Sequence, residues 1–171
     1  ARKVEAYLNS KGKSCILREE TSEQKARSNH YTDVEKIPKD VECIIVIGGD
    51  GTLLQAARDV VNRQIPLLGI NMGTLGYLAE IDRSSIDGAL NHLMLDEYTI
   101  EKRMMLNGKV YHKEELIAED VALNDIVIGR DGPLHVTRFH NYVNGEFLNS
   151  YTADGIIIAT ATGSPGYSLS A

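Results

Sequence analysis

The sequence predicts an α/β N-terminal domain built on a parallel sheet, followed by an antiparallel, sandwich-like β domain. Three observations carry this reading. Apolar runs at residues 41–47 and 66–71 each lead into a glycine-bearing turn, and the first turn opens a segment with apolar positions at helical spacing. From residue 98 the helical periodicity gives way to a series of short strand-like segments. Within that series Asn107-Gly108 and Asn144-Gly145 read as two-residue hairpin turns. The division is placed at 1–97 for an α/β phosphate-binding domain and 98–171 for the β domain.

The chain opens with an amphipathic helix over 1–11, apolar at Val4, Ala6, Tyr7 and Leu8 and closed by Gly12. An α/β domain usually opens on a strand, so this beginning implies that an N-terminal strand has been lost. A short strand is expected over 13–17, then a polar surface loop or marginal helix over 18–40. The buried strand at 41–47 runs into Gly48-Gly49-Asp50-Gly51-Thr52 and a helix that ends near Gln64. The strand at 66–71 runs into a second glycine turn, and a helix over 84–95 takes Ser84 or Ser85 as its cap. Strands are then expected over 98–106, 109–112, 115–122, 125–128, 134–143, 146–149 and 155–160.

Bulk properties narrow the function classes. A composition of 43% hydrophobic and 25% charged residues is that of an ordinary globular protein. The formal net charge of −6, with no basic cluster interleaved with aromatics, argues against a nucleic-acid partner. It does not exclude an anionic ligand, because backbone N–H groups and a metal act locally. No apolar run approaches the roughly 20 residues of a membrane span, and no signal-peptide pattern opens the chain. Cys15 and Cys43 are far apart in apolar settings, which fits a reduced, cytoplasmic compartment. The histidines show no zinc-ligand spacing, so any metal is expected to be Mg²⁺ arriving with a nucleotide.

The turn at residues 48–52 organises the chemistry. Glycine tolerates positive φ and lets a ligand approach the backbone, and the following helix N-terminus favours an anion. Asp50 is out of place in a purely phosphate-binding turn, since an acid repels phosphate. Two readings follow: Asp50 or Thr52 caps the helix of an ordinary tight turn, or the glycines cradle a polyphosphate while Asp50 deprotonates a hydroxyl or helps hold a metal. The second turn, Gly69-Ile70-Asn71-Met72-Gly73-Thr74-Leu75-Gly76-Tyr77-Leu78, also follows a strand, and parallel sheets place ligand crevices outside the carboxyl ends of their strands. In the β half, Asn124-Asp125 offers donors and acceptors suited to a ribose diol or a base edge. Asp154-Gly155 precedes an apolar run that breaks into a hydroxyl- and glycine-rich segment over 160–170.

Gly48-Gly49-Asp50-Gly51-Thr52, the second glycine turn, Asn124-Asp125 and Thr162-Gly163-Ser164 through Tyr167 resemble, in order and spacing, the motifs of the NAD kinases. The resemblance runs through essentially the whole chain and implies phosphorylation of the adenosine-ribose 2′-hydroxyl of NAD, giving NADP, with ATP or inorganic polyphosphate as donor. It implies Asp50 as catalytic base, with Mg²⁺ accompanying ATP. It further implies a substrate and nucleotide site of Gly49, Gly51, Thr52, Asn71, Tyr77, Asn124, Asp125, His135, Asp154, Thr162, Pro165, Gly166, Tyr167 and Ser170. A homodimer or homotetramer built through the β domain is implied as well. Pro165 and Gly166 stand where the family prefers Thr-Ala, and Pro165 brings neither hydroxyl nor N–H. The family normally continues for about another hundred residues, a size that would complete the β domain. The chain is therefore expected to be a fragment whose β domain is incomplete. The alternatives are a lipid kinase of the diacylglycerol or sphingosine type, which shares Gly-Gly-Asp-Gly-Thr, and a dinucleotide-binding module without activity. Asn71 in the second turn and the Asn124-Asp125 pair argue against the lipid kinase.

Overall fold

The computed structural model describes residues 1–18, 34–73, 76–79, 81–130, 132 and 136–163. The chain forms two compact units, Ala1–Lys102 and Arg103–Ala171.

In the first unit, strands β1 (Ile44–Gly48) and β2 (Leu67–Asn71) pair in parallel, in register from Ile44 with Leu67 to Gly48 with Asn71. Both strands therefore end level, and the two glycine turns leave from the same edge. Side chains alternate across the pair. Ile45, Ile47 and Ile70 face a core built with Val4 and Leu8 of helix α1 (Arg2–Ser10) and Ile86 and Leu90 of helix α3 (Ile86–Met94). Val46 and Gly69 lie on the other face, under helix α2 (Asp50–Val60), which buries Leu53, Ala57 and Val60 at spacings of four and three. Gly69 lets helix α2 pack closely there: a Cβ would stand 3.0 Å from Leu53 Cδ2 and 3.1 Å from Ala79 Cβ. The parallel α/β expectation is met.

Three local expectations are corrected. Residues 13–18 form no strand; Ile16 is exposed, so the segment has little apolar surface to bury in a ladder. Ser85 stands at the N-cap of helix α3 as expected, but no side-chain cap hydrogen bond forms there; Asp82 Oδ1 instead holds the turn leading into the helix, accepting from the backbone N–H of Ser84 at 2.9 Å and of Ser85 at 2.8 Å. Helix α2 begins at Asp50, inside the glycine turn. Of the polar stretch 18–40, residues 34–36 form a short 3-10 turn, and residues 19–33 lie outside the described residues.

The second unit consists of three antiparallel ladders among the described residues: β3 (Leu106–His112) with β4 (Glu115–Ala122), β5 (Asp125–Gly129) with β8 (Gly155–Ala159), and β6 (Thr137–Val143) with β7 (Glu146–Ala153). Antiparallel β in this half is as expected. The Asn144-Gly145 hairpin forms, with φ of +52° and +85°. Asn107-Gly108 makes no turn. Both residues sit inside β3, opposite Val121 and Asp120, and the chain reverses between β3 and β4 at Lys113 and Glu114. The glycine serves packing instead, because a Cβ at Gly108 would stand 2.7 Å from Ile126 Cδ1. Asn107 donates to Glu119 across the ladder at 3.0 Å; together with Lys109 it holds the Glu119 carboxyl below its ordinary value. Nor do residues 98–105 form a strand: Tyr98, Ile100 and Met104 are exposed, and no ladder among the described residues includes that segment.

Candidate functional site

The first cluster grows from the two glycine turns. Helix α2 opens directly from β1, with Gly49 at its N-cap and no side chain capping it. That removes the helix-capping reading of Asp50 and Thr52. The Asp50 carboxylate turns away from its own helix toward the second loop. It accepts from the backbone N–H of Tyr77 at 2.8 Å on Oδ2, and from those of Leu78 and Ala79 at 3.2 Å each on Oδ1. Three successive amides converging on one carboxylate form the kind of concave donor set that binds anions, here filled by a side chain of the same unit. A carboxylate has about four acceptor positions. The described donors use two on Oδ1 and one on Oδ2, which leaves an acceptor position on Oδ2.

The glycines divide by role. Gly49 and Gly51 do not have positive φ, so the conformational reason for glycine fails at both. A Cβ at either would meet no heavy atom within 4 Å, so the backbone there is open to close approach. Gly48 gives room to Thr52, whose Cβ would lie 2.8 Å from an added Cβ. Asn71 is buried at 3% exposure and holds the second turn, its Oδ1 accepting from the Gly73 N–H at 2.8 Å and its own N–H donating to Ile81 O at 2.7 Å. Tyr77 is exposed, and its N–H is committed to Asp50.

The second cluster lies at the end of the β5–β8 ladder where Asp125 faces Ala159. Thr160 ties β8 to the residues before β5. Its hydroxyl donates to Leu123 O at 2.6 Å and accepts from the Thr162 N–H at 3.1 Å, while its N–H donates to Asn124 O at 2.8 Å. Gly163 is folded so closely onto Asp125 Oδ1 that a Cβ has no room. Asn124 Oδ1 and Asp125 Oδ1 are both shielded from solvent with no hydrogen-bond partner among the described residues. Buried acceptors without donors are costly, about 1–3 kcal/mol each. Arg103 donates to Thr162 Oγ1 at 3.3 Å. Arg103 and Thr160 escaped the sequence reading, because a lone basic residue and a strand-end threonine carry no motif.

Asp154 does not join this cluster. It precedes β8, at the opposite end of the ladder, five residue steps or about 17 Å along the strands from Asp125. Its carboxylate pairs with Arg130 Nε at 3.2 Å and is largely exposed. His135, Pro165, Gly166, Tyr167 and Ser170 lie outside the described residues.

The comparisons with known proteins point to one family. The family model of the ATP-NAD kinase N-terminal domain matches residues 4–98, and that of the ATP-NAD kinase C-terminal domain matches residues 123–171. The NAD kinase of Lachnospira eligens is 50% identical over 170 residues, which are 99% of this chain and 58% of that protein. The NAD kinase of Agathobacter rectalis is 49% identical over 169 residues, with the same shares. The chain thus spans somewhat more than half the length of the curated relatives it matches. Among solved structures, yeast NADH kinase complexed with NADH superposes on 78% of this chain and 41% of that one, with a TM-score of 0.69 and 32% identity. An NAD kinase from Archaeoglobus fulgidus in complex with ATP matches the fold over 99% of this chain and 60% of that one, with a TM-score of 0.71 and 24% identity. These similarities do not favour the lipid-kinase alternative. With both family models matched in order along its length, the chain belongs to the ATP-NAD kinase family.

Proposed function

We propose that this protein acts as an NAD kinase, transferring a phosphoryl group from ATP, or from polyphosphate, to the adenosine-ribose 2′-hydroxyl of NAD. The observation that carries the reading is the Asp50 carboxylate, fixed by three amides at the carboxyl edge of the parallel strands with an acceptor position left on Oδ2. In the proposed step the 2′-hydroxyl proton passes to Asp50, the ribose oxygen bonds the transferred phosphorus in line, and the phosphorus–oxygen bond to the departing donor breaks. Gly49, Gly51 and Thr52, with the open backbone beside the two glycines, take the donor phosphates at the helix α2 N-terminus. Asn124, Asp125 and Thr162 recognise polar groups of the dinucleotide, a role supported by the two unpartnered acceptors. Asn71 acts by shaping the second turn, and Tyr77 offers an exposed ring to a base or ribose. His135, Pro165, Gly166, Tyr167 and Ser170 complete the proposed nucleotide contacts, and Asp154, at the far end of the β5–β8 ladder, would contact a nucleotide apart from the Asn124–Asp125 cluster.

Among the described residues no three His, Cys, Asp or Glu side chains gather as a metal site, and the carboxylate of Asp50 is already engaged by amides. A divalent cation, Mg²⁺ in this reading, comes with the donor phosphates, and no step here runs through it. A cytoplasmic location, supported by the two free cysteines, a homodimer or homotetramer, and the domain division at 97 belong to the same proposal.

The test is NADP formation from NAD, ATP and Mg²⁺, with Asp50→Asn alongside. The proposal expects product from the wild type and almost none from the variant, with NAD affinity within about threefold. Turnover by Asp50→Asn at the wild-type rate removes the base assignment. A wild type that binds NAD but makes no NADP leaves the dinucleotide-binding module as the reading.

A further inference from the structure

We propose that Gly76 is a positioning residue for Asp50, and that the loop after β2, through the amides of residues 77–79, fixes which carboxylate oxygen receives the substrate proton. An added Cβ at Gly76 would stand 2.5 Å from Asp50 Cγ and 2.6 Å from Oδ2, and would also meet Oδ1. All three of these atoms belong to the carboxylate and none to the backbone. The clash from an alanine is therefore relieved by rotating Asp50 rather than by displacing the loop, and the fold survives while the orientation is lost. Rotation costs the carboxylate the Tyr77, Leu78 and Ala79 donors together, because all three come from one run of backbone. It also frees both oxygens, where the wild type leaves an acceptor position on Oδ2 alone. Twenty-six residues separate Asp50 from Gly76 in sequence, so the helix that carries the acid does not by itself aim it.

This inference rests on Asp50 being the base, and its test separates the two claims. Steady-state kinetics would be measured on wild type, Gly76→Ala, Asp50→Asn and the double variant. Positioning predicts a kcat loss of about 100-fold in Gly76→Ala with KM for NAD changed less than about threefold. It also predicts that adding Gly76→Ala to Asp50→Asn costs less than about twofold more, because the glycine acts only through the carboxylate. Wild-type kcat in Gly76→Ala, or losses that multiply in the double variant, overturns the proposal. Amide hydrogen exchange supplies an arm independent of activity and of whether Gly76→Ala folds. In Asp50→Ala the amides of Tyr77, Leu78 and Ala79 should exchange at least about tenfold faster, while that of Ile70 in β2 keeps its protection. Unchanged exchange at residues 77–79 overturns the contact itself. A wild-type protein that makes no NADP, or an Asp50→Asn variant with full turnover, would instead remove the underlying assignment of the base.

Discussion

Gly163 lies against the Asp125 carboxylate, with the Thr160 carbonyl 3.0 Å and the Ala159 Cβ 3.1 Å from where its own Cβ would stand. The contact closes the end of the β5–β8 ladder over an acceptor that has no hydrogen-bond partner among the described residues. The same arrangement that leaves Asp125 Oδ1 without a donor also fixes its direction.

Gly163→Ala should therefore impair dinucleotide binding. Two of the three crowding neighbours, a backbone carbonyl and a strand Cβ, cannot yield, so Asp125 must turn. A titration with NAD is expected to show affinity reduced by about tenfold, with a stability loss of about 1–3 kcal/mol from overpacking. Unchanged affinity in a destabilised variant would show that Asp125 serves the fold and not the ligand.

Asp50→Asn should cost stability as well as turnover. An Asn at 50 can keep its carbonyl oxygen toward the amides of Leu78 and Ala79, but its NH₂ then faces the N–H of Tyr77. Donor against donor leaves that N–H unsatisfied, and the expected loss is about 1–3 kcal/mol by urea unfolding. A variant as stable as the wild type would mean that the three amides do not hold the carboxylate in solution.

These contacts show what the sequence could and could not reveal. The parallel strands, helix α2 and the Asn144-Gly145 hairpin were legible because each is written in adjacent residues: an apolar run, a helical period, two residues suited to positive φ. Asn107-Gly108 carries an identical local signal and misleads, because the reason for its glycine is Ile126 on another strand. The acid in the glycine turn was visible, yet its donors lie 27 to 29 residues away and are backbone groups with no side-chain signature. The resemblance to the NAD kinases put both Asp154 and Asp125 in the nucleotide site. The antiparallel register of β5 and β8 sends them to opposite ends of one ladder.

Asp82 should make the start of helix α3 sensitive to acid. Its carboxyl is held below the ordinary value by hydrogen bonds, first from the Ser84 side chain and then from Ser85, at the start of helix α3. A group with a depressed folded value contributes stability above its unfolded value, and that contribution is lost as pH falls through the folded one. Asp82→Ala should lower the melting temperature at neutral pH, with the gap to wild type steady down to about pH 5 and closing below about pH 4. Asp82→Asn keeps an acceptor without titrating, so its smaller gap should be flatter with pH. A gap for Asp82→Ala that persists undiminished to pH 2 would assign the effect to something other than the charged carboxylate.

Two glycines that face open space should respond to alanine in opposite directions. Neither Gly88 nor Gly145 has a heavy atom within 4 Å of an added Cβ, so contacts contribute nothing and only the backbone decides. Gly145 sits in the β6–β7 turn at φ +85°, where an L side chain is strained, and Gly145→Ala should cost about 1–2 kcal/mol. Gly88 lies inside helix α3 with ordinary helical backbone, where alanine removes unfolded-state entropy without strain. Gly88→Ala should stabilise by about 0.5–1 kcal/mol. Urea unfolding of the pair checks both signs at once. If both variants shift the same way, the turn conformation at Gly145 or the helix at Gly88 is wrong.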